Sequence, residues 1–135
     1  MFLIHTVLMF LMCVLIVIAA VIARKRADGW LLKHRIFAVL GVLSGLIGFA
    51  GMFYVKLMAG WPHFKTLHAI GGGIAVLLLL VTPALGFMAT KGKLNGVHKI
   101  FGRITAILAL LVLITGLDKL YDKLTAVAKP PVVKP

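Results

Sequence analysis

LLKHRIFAVLG, residues 31–41, and NGVHKIFGRIT, residues 95–105, carry one phrase twice: a histidine, a base, then Ile-Phe, then a long apolar run. Each phrase reads as the charged edge of a helix that continues into a non-aqueous medium. Working outward, the apolar runs between charged edges are long enough for membrane spans, which need about 20 mostly apolar residues. The first covers residues 1–23 and ends at Arg24-Lys25-Arg26. The second opens near Trp30 and ends near Met58, before Gly60-Trp61-Pro62. The third is expected from about Pro62, a residue suited to a first helical turn, to about Thr90, with Pro83 bending it. The fourth opens at Asn95, a good N-cap residue, and ends near Leu117. Short connections imply an all-α, up-down-up-down four-helix bundle in a membrane. Expected boundaries are 1–117 for the four-helix domain, 118–128 for a short amphipathic interfacial helix, and 129–135 for an extended tail.

Composition agrees. Of the 135 residues, 62% are hydrophobic, against about 45–50% in a soluble domain. The chain has no Glu and three acidic residues in all, so its formal charge is +12. These bases flank apolar runs, which argues against nucleic-acid binding and for membrane anchoring. The first run has no base ahead of it, unlike a cleaved leader. Cys13 is the single cysteine, which leaves no disulfide framework, no thiolate metal set and no Cys-x-x-Cys-His for covalent haem.

Lys and Arg set the expected orientation. Arg24, Lys25, Arg26, Lys33 and Arg35 cluster at the first loop. Lys91, Lys93, Lys99 and Arg103 cluster at the third. Loops one and three are therefore expected in the cytoplasm and both termini outside, in a bacterial-type inner membrane. Trp30 and Trp61 fit the aromatic belts.

Four of the five histidines fall one per helix, near each start: His5, His34, His68 and His98. Successive helices run in opposite directions, so His5 and His68 share the outer depth and His34 and His98 share the cytoplasmic depth. Each pair joins helices that run the same way, which sit diagonally in a four-helix ring. The spacing from His5 to His34 is nearly that from His68 to His98, so the halves read as degenerate repeats. On the same helical faces lie Met9, Met12 and Ile16 after His5; Ala38, Gly41, Gly45 and Gly48 after His34; Gly72, Ala75, Leu79, Thr82 and Gly86 after His68; and Gly102, Thr105, Ala109, Val112 and Gly116 after His98. Small-residue stripes mark buried faces in membrane bundles, so the histidines are expected to point inward. One such residue would ordinarily be a packed polar group. Four inward histidines paired by depth suggest function, because polar groups inside a membrane are costly.

Two opposed imidazoles suit haem iron, whose ring supplies four nitrogens and leaves two axial positions. A zinc site would call for a third His, a Cys or a carboxylate. Glycines near the ligands, Gly71, Gly72 and Gly73 after His68 and Gly102 after His98, would let a ring edge approach the backbone. Lys33, Arg35, Lys99 and Arg103 inside, and Lys65 with His63 outside, are candidates to meet haem propionates; each also suits a plain interfacial anchor. With both axial positions filled, the chemistry would be one-electron transfer along a two-step wire.

HTVLMFLMCVLIVIAAVIARKR (5–26), KHRIF (33–37), LHAIGG (67–72) and HKIFGR (98–103), in this order, resemble the four-helix core of the cytochrome b561 family, most closely the form that carries extracellular domains in other proteins. The resemblance covers about residues 1–117. It implies two non-covalent, bis-histidine haem b groups, held outside by His5 with His68 and inside by His34 with His98. Family members pass electrons across membranes, often from ascorbate or a similar small donor to an outer acceptor such as ferric iron. The extra helices of larger members and an attached soluble domain are lacking, so the implied role is an electron-carrying subunit with redox partner proteins rather than a self-contained enzyme. Two rivals stand beside it. One is a quinone-reactive cytochrome b subunit of a dehydrogenase, although no acidic proton relay is present. The other is a haem-free membrane scaffold with histidines as polar glue.

Overall fold

The computed structural model describes residues 1–90 and 94–128, the side chains of 126–128 excepted. Four helices account for nearly all of them: α1 (Phe2–Lys25), α2 (Trp30–Met58), α3 (Leu67–Ala89) and α4 (Asn95–Ala128). All four are long and apolar enough to cross a membrane. Among the described residues there is no strand.

Packing neighbours are α1 with α2, α2 with α3, α3 with α4 and α4 with α1, and the tightest contacts lie within the α1–α2 and α3–α4 hairpins. Among the described residues no Cα of α1 comes within 8 Å of one in α3, nor any of α2 within 8 Å of one in α4, so the diagonals meet through side chains alone. Gly41, Gly45 and Gly48 are buried and let α1 approach α2 closely. A Cβ at Gly45 would lie 2.6 Å from Met12 Sδ, and one at Gly48 would lie 3.1 Å from Leu8 Cβ. The buried centre is small: Met12, Cys13, Leu79 and Ala109, with Met9, Ile16, Val42 and Leu113 packed around it. The outward faces are bulky and bare. Leu3, Leu32, Leu77 and Ile114 are each more than 60% exposed. Small residues inward and large apolar residues outward invert the pattern of a water-soluble bundle and suit a lipid surround.

The polar side chains of the core are satisfied locally. Ser44 Oγ donates to Leu8 O at 2.8 Å. Thr105 Oγ1 donates to Phe101 O at 2.8 Å and lies 2.8 Å from Thr82 Oγ1, tying α4 to α3. The first connection is tight because Arg26 (φ 48°) and Gly29 (φ 69°) both take left-handed backbone. Arg26 N–H caps Ile22 O at 3.1 Å, closing α1.

Two expectations about boundaries are corrected. α3 does not open at Pro62 but at Leu67, behind Thr66, whose side chain accepts from Ala69 N–H at 3.2 Å. Such a cap is worth about 1 kcal/mol, and Phe64, at φ 55°, is left-handed and breaks any earlier helix. The segment 118–128 is helical as expected, but it continues α4 without interruption rather than forming a separate helix. Pro83 lies inside α3, with helix on both sides. Lys91, Lys93 and the tail 129–135 lie outside the described residues.

Candidate functional site: two diagonal histidine pairs

Every residue of the four small-residue faces is buried or half-buried, from Met9 on α1 to Gly116 on α4. The histidines that head these faces are half-buried too, and they meet across the diagonals. The rings of His5 on α1 and His68 on α3 have centres 6.3 Å apart, with planes at 89°. Those of His34 on α2 and His98 on α4 have centres 6.3 Å apart, with planes at 79°. The two levels are separated along α1 by the span from His5 to Ala19, which the helical rise makes about 21 Å.

Each ring is anchored through the same atom. Nδ1 of His5 lies 2.9 Å from Gly48 O, and Nδ1 of His34 lies 2.9 Å from Ala19 O. Nδ1 of His68 lies 3.1 Å from Val112 O, and Nδ1 of His98 lies 3.1 Å from Thr82 O. A carbonyl only accepts, so Nδ1 carries a proton, and in the neutral ring that leaves the lone pair on Nε2. Among the described residues every hydrogen bond these rings make uses Nδ1. No buried side-chain nitrogen or oxygen there lacks a partner. The four Nε2 atoms therefore border open space rather than packed carbon. Four imidazoles anchored at Nδ1 with Nε2 atoms unpartnered are arranged as metal ligands are, since a backbone carbonyl on the other nitrogen is the usual orienting partner.

The anchoring repeats between the halves. His5 and its acceptor are 43 positions apart, His68 and its acceptor 44. His34 and its acceptor are 15 apart, His98 and its acceptor 16. The second hairpin is the first with one residue more in its connection.

Glycine makes room for two of the rings. A Cβ on Gly116 would lie 2.9 Å from His68 Cε1, and one on Gly86 would lie 2.8 Å from His98 Cε1. Both glycines sit one turn beyond the accepting carbonyl, so ring and glycine form one unit. Of Gly71, Gly72 and Gly73, only Gly72 lines the space beside the outer pair. Gly71 receives Val112, with 3.1 Å from a built Cβ to Cγ2, and Gly73 receives the Phe64 ring at 2.8 Å. A Cβ on Gly102 would meet only Thr82 Cγ2, at 3.9 Å, so the space there is open.

A cavity of about 350 Å³ surrounds His5 and His68, within the size range of cofactor sites. Its deep wall is apolar, with Met9, Met12, Leu79 and Ala109. Its mouth carries Lys56, His63, Lys119, Asp122 and Lys123. Lys119 pairs with Asp122 at 3.3 Å on an exposed face, a weak interaction. Lys123 Nζ sits 4.3 Å from the Phe2 ring centre. Three lysines against one carboxylate make the mouth a place for anionic groups.

Lys65, expected here, is exposed and does not line the cavity; Lys56, half-buried in the last turn of α2, does. His63, the other outside candidate for a propionate, lies in the connection 59–66 and lines the cavity. Its ring stacks on Phe53 with centres 4.2 Å apart and planes at 22°. At the level of His34 and His98, Arg35 and Lys99 directly follow their histidines in sequence and Arg103 lies five residues after His98; all three are exposed. Lys33 Nζ donates to Asp28 O at 3.2 Å. Trp30 stands between Arg26, 5.5 Å from its ring centre, and His34, 6.4 Å away ring to ring.

No further His, Cys, Asp or Glu joins either pair to form a group of three among the described residues. Compared with known proteins, the chain matches no family model, no curated protein and no solved structure.

Proposed function

We propose that this chain is a membrane b-type di-haem cytochrome of cytochrome b561 type that carries electrons across the bilayer as a subunit of a larger redox complex. The observation that carries the reading is the pair of diagonal histidine couples with all four Nδ1 atoms engaged and all four Nε2 atoms open. Two imidazoles bonded to one metal from opposite sides, at about 2 Å per bond, have ring centres roughly 6 Å apart; the observed 6.3 Å matches at both levels. With only two protein donors at each level, a group that brings its own in-plane nitrogens fits better than a bare ion.

His5 with His68, and His34 with His98, would hold the two haems. When bound, such a group supplies reversible one-electron chemistry. The chain's own residues do the rest. The carbonyls of Gly48, Ala19, Val112 and Thr82 orient the rings and fix their tautomers. Gly72, Gly86, Gly102 and Gly116 keep side chains out of the space the rings need. Met12, Cys13, Leu79 and Ala109 keep water out between the two levels. Lys56, Lys119 and Lys123 outside, and Lys33, Arg35, Lys99 and Arg103 inside, offer positive charge where propionates would reach water. Redox proteins are the expected partners on both sides, and the α4 segment beyond Leu117 projects toward the outer one.

The test is haem content and visible spectrum of the purified chain beside two variants. Wild type should show a Soret band and two haems per chain. His68→Ala and His98→Ala should each lose one, and a different one. Full haem in both variants would overturn the ligand assignment, and a wild type without a Soret band would favour a haem-free scaffold.

A further inference from the structure

The four histidines are not held alike. His5, His34 and His98 each find a single acceptor at Nδ1, always a backbone carbonyl. His68 finds two: Val112 O at 3.1 Å and the Thr115 hydroxyl oxygen at 3.2 Å. The Thr115 hydroxyl itself donates to Val112 O at 3.0 Å, so its proton is used and its lone pairs remain for His68. Three groups thus close a small triangle, with the Nδ1 proton shared between two oxygens.

The internal repeat shows that this is not a general feature of the sites. Thr115 stands three residues after the carbonyl that holds His68. The equivalent positions for the other three histidines are Gly51 after Gly48, Ile22 after Ala19 and Leu85 after Thr82. None offers a hydroxyl. One site in four carries the extra acceptor.

We propose that Thr115 is a positioning residue that tunes the outer redox centre, lowering its reduction potential by acting on His68. The inference rests on the di-haem reading above. A ligand imidazole whose N–H is drawn toward more acceptors is more basic at its other nitrogen. A more basic ligand favours the oxidised, more positive iron, so the midpoint potential falls. The effect is local, because Thr115 bonds to His68 and Val112 and to neither inner histidine.

Redox titration of the full-length protein in detergent, followed by visible absorbance, tests this. A His98→Ala variant, expected to keep only the outer haem, identifies which potential is which. Thr115→Val keeps the shape and removes the acceptor; it should retain both haems, raise the outer potential and leave the inner one unmoved. Thr115→Ser should restore the wild-type value. Leu85→Thr, which places a hydroxyl at the matching inner position, should lower the inner potential. Full haem with both potentials unchanged in Thr115→Val would overturn the inference, as would both potentials moving together. Should valine there cost the outer haem itself, Leu85→Thr decides: an unmoved inner potential overturns the proposal. Absence of haem from the wild type would instead bring down the di-haem reading, a separate outcome.

Discussion

A methyl group added to Gly86 would lie 2.8 Å from Cε1 of His98, and one added to Gly116 would lie 2.9 Å from Cε1 of His68. Real carbon contacts are longer, so either ring would have to leave its place, and each ring is pinned at Nδ1 by a carbonyl one turn away. Gly86→Ala and Gly116→Ala should therefore each destabilise the protein by about 1–3 kcal/mol, the range for overpacked sites. On the di-haem proposal, each should also disturb haem at its own level, that of His98 and that of His68 respectively, and spare the other. Gly96 is the control. Among the described residues nothing lies within 4 Å of a Cβ built there, so Gly96→Ala should be neutral or stabilise by a few tenths of a kcal/mol to about 1 kcal/mol. Thermal unfolding in detergent, with haem content measured in parallel, checks all three. If the first two variants behave like the third, the fit of ring on glycine has no energetic weight.

The elements differ from the sequence reading where two physical cues compete. At Leu117 the composition turns from apolar to charged, which ends a membrane span, yet nothing there ends a helix. No Pro or Gly occurs between Gly116 and Ala128, and Lys, Leu and Ala sustain helical backbone well. The Lys119–Asp122 pair and the Thr125 hydroxyl on Tyr121 O at 3.0 Å are compatible with an unbroken ladder. Span length and helix length are separate quantities, and the sequence pattern reported the first. At the start of α3 the sequence pointed to Pro62, a residue suited to a first helical turn, and the helix opens behind Thr66 instead. Thr66 is the observed one because Phe64 is left-handed and folds its ring over Gly73, a contact between loop and helix that no local pattern encodes. The continuity of α4 predicts a distance. Spin labels at Leu110 and Leu124, both exposed, should be about 21 Å apart along one straight helix. A fold of the last segment onto a surface at Leu117 would bring the labels distinctly closer, which pulsed EPR resolves.

Across the whole molecule, what was legible came from spacing: one histidine per helix, small residues beneath each, and antiparallel order forcing the diagonals. Those features are set by the backbone of a four-helix ring, so periodicity alone carried them. Lys56 was missed because its place at the cavity around His5 and His68 depends on how the 59–66 connection, with His63 stacked on Phe53, folds back, and Thr115 because its partner lies 47 positions away. What periodicity does not carry is which side of the membrane each pair faces; that follows only from charge. Arg24, Lys25, Arg26, Lys33 and Arg35 gather at the connection between α1 and α2, and flanking Lys and Arg favour the cytoplasm. The His34–His98 level belongs to that end and the His5–His68 level to the other. In a Cys13→Ser background, Lys65→Cys should react with a membrane-impermeant maleimide in intact cells, and Lys25→Cys only after the membrane is opened. Both positions are exposed, so neither result can be blamed on burial. The reverse pattern would place the cavity with Lys56 and His63 on the cytoplasmic side while leaving the pairing of the histidines intact.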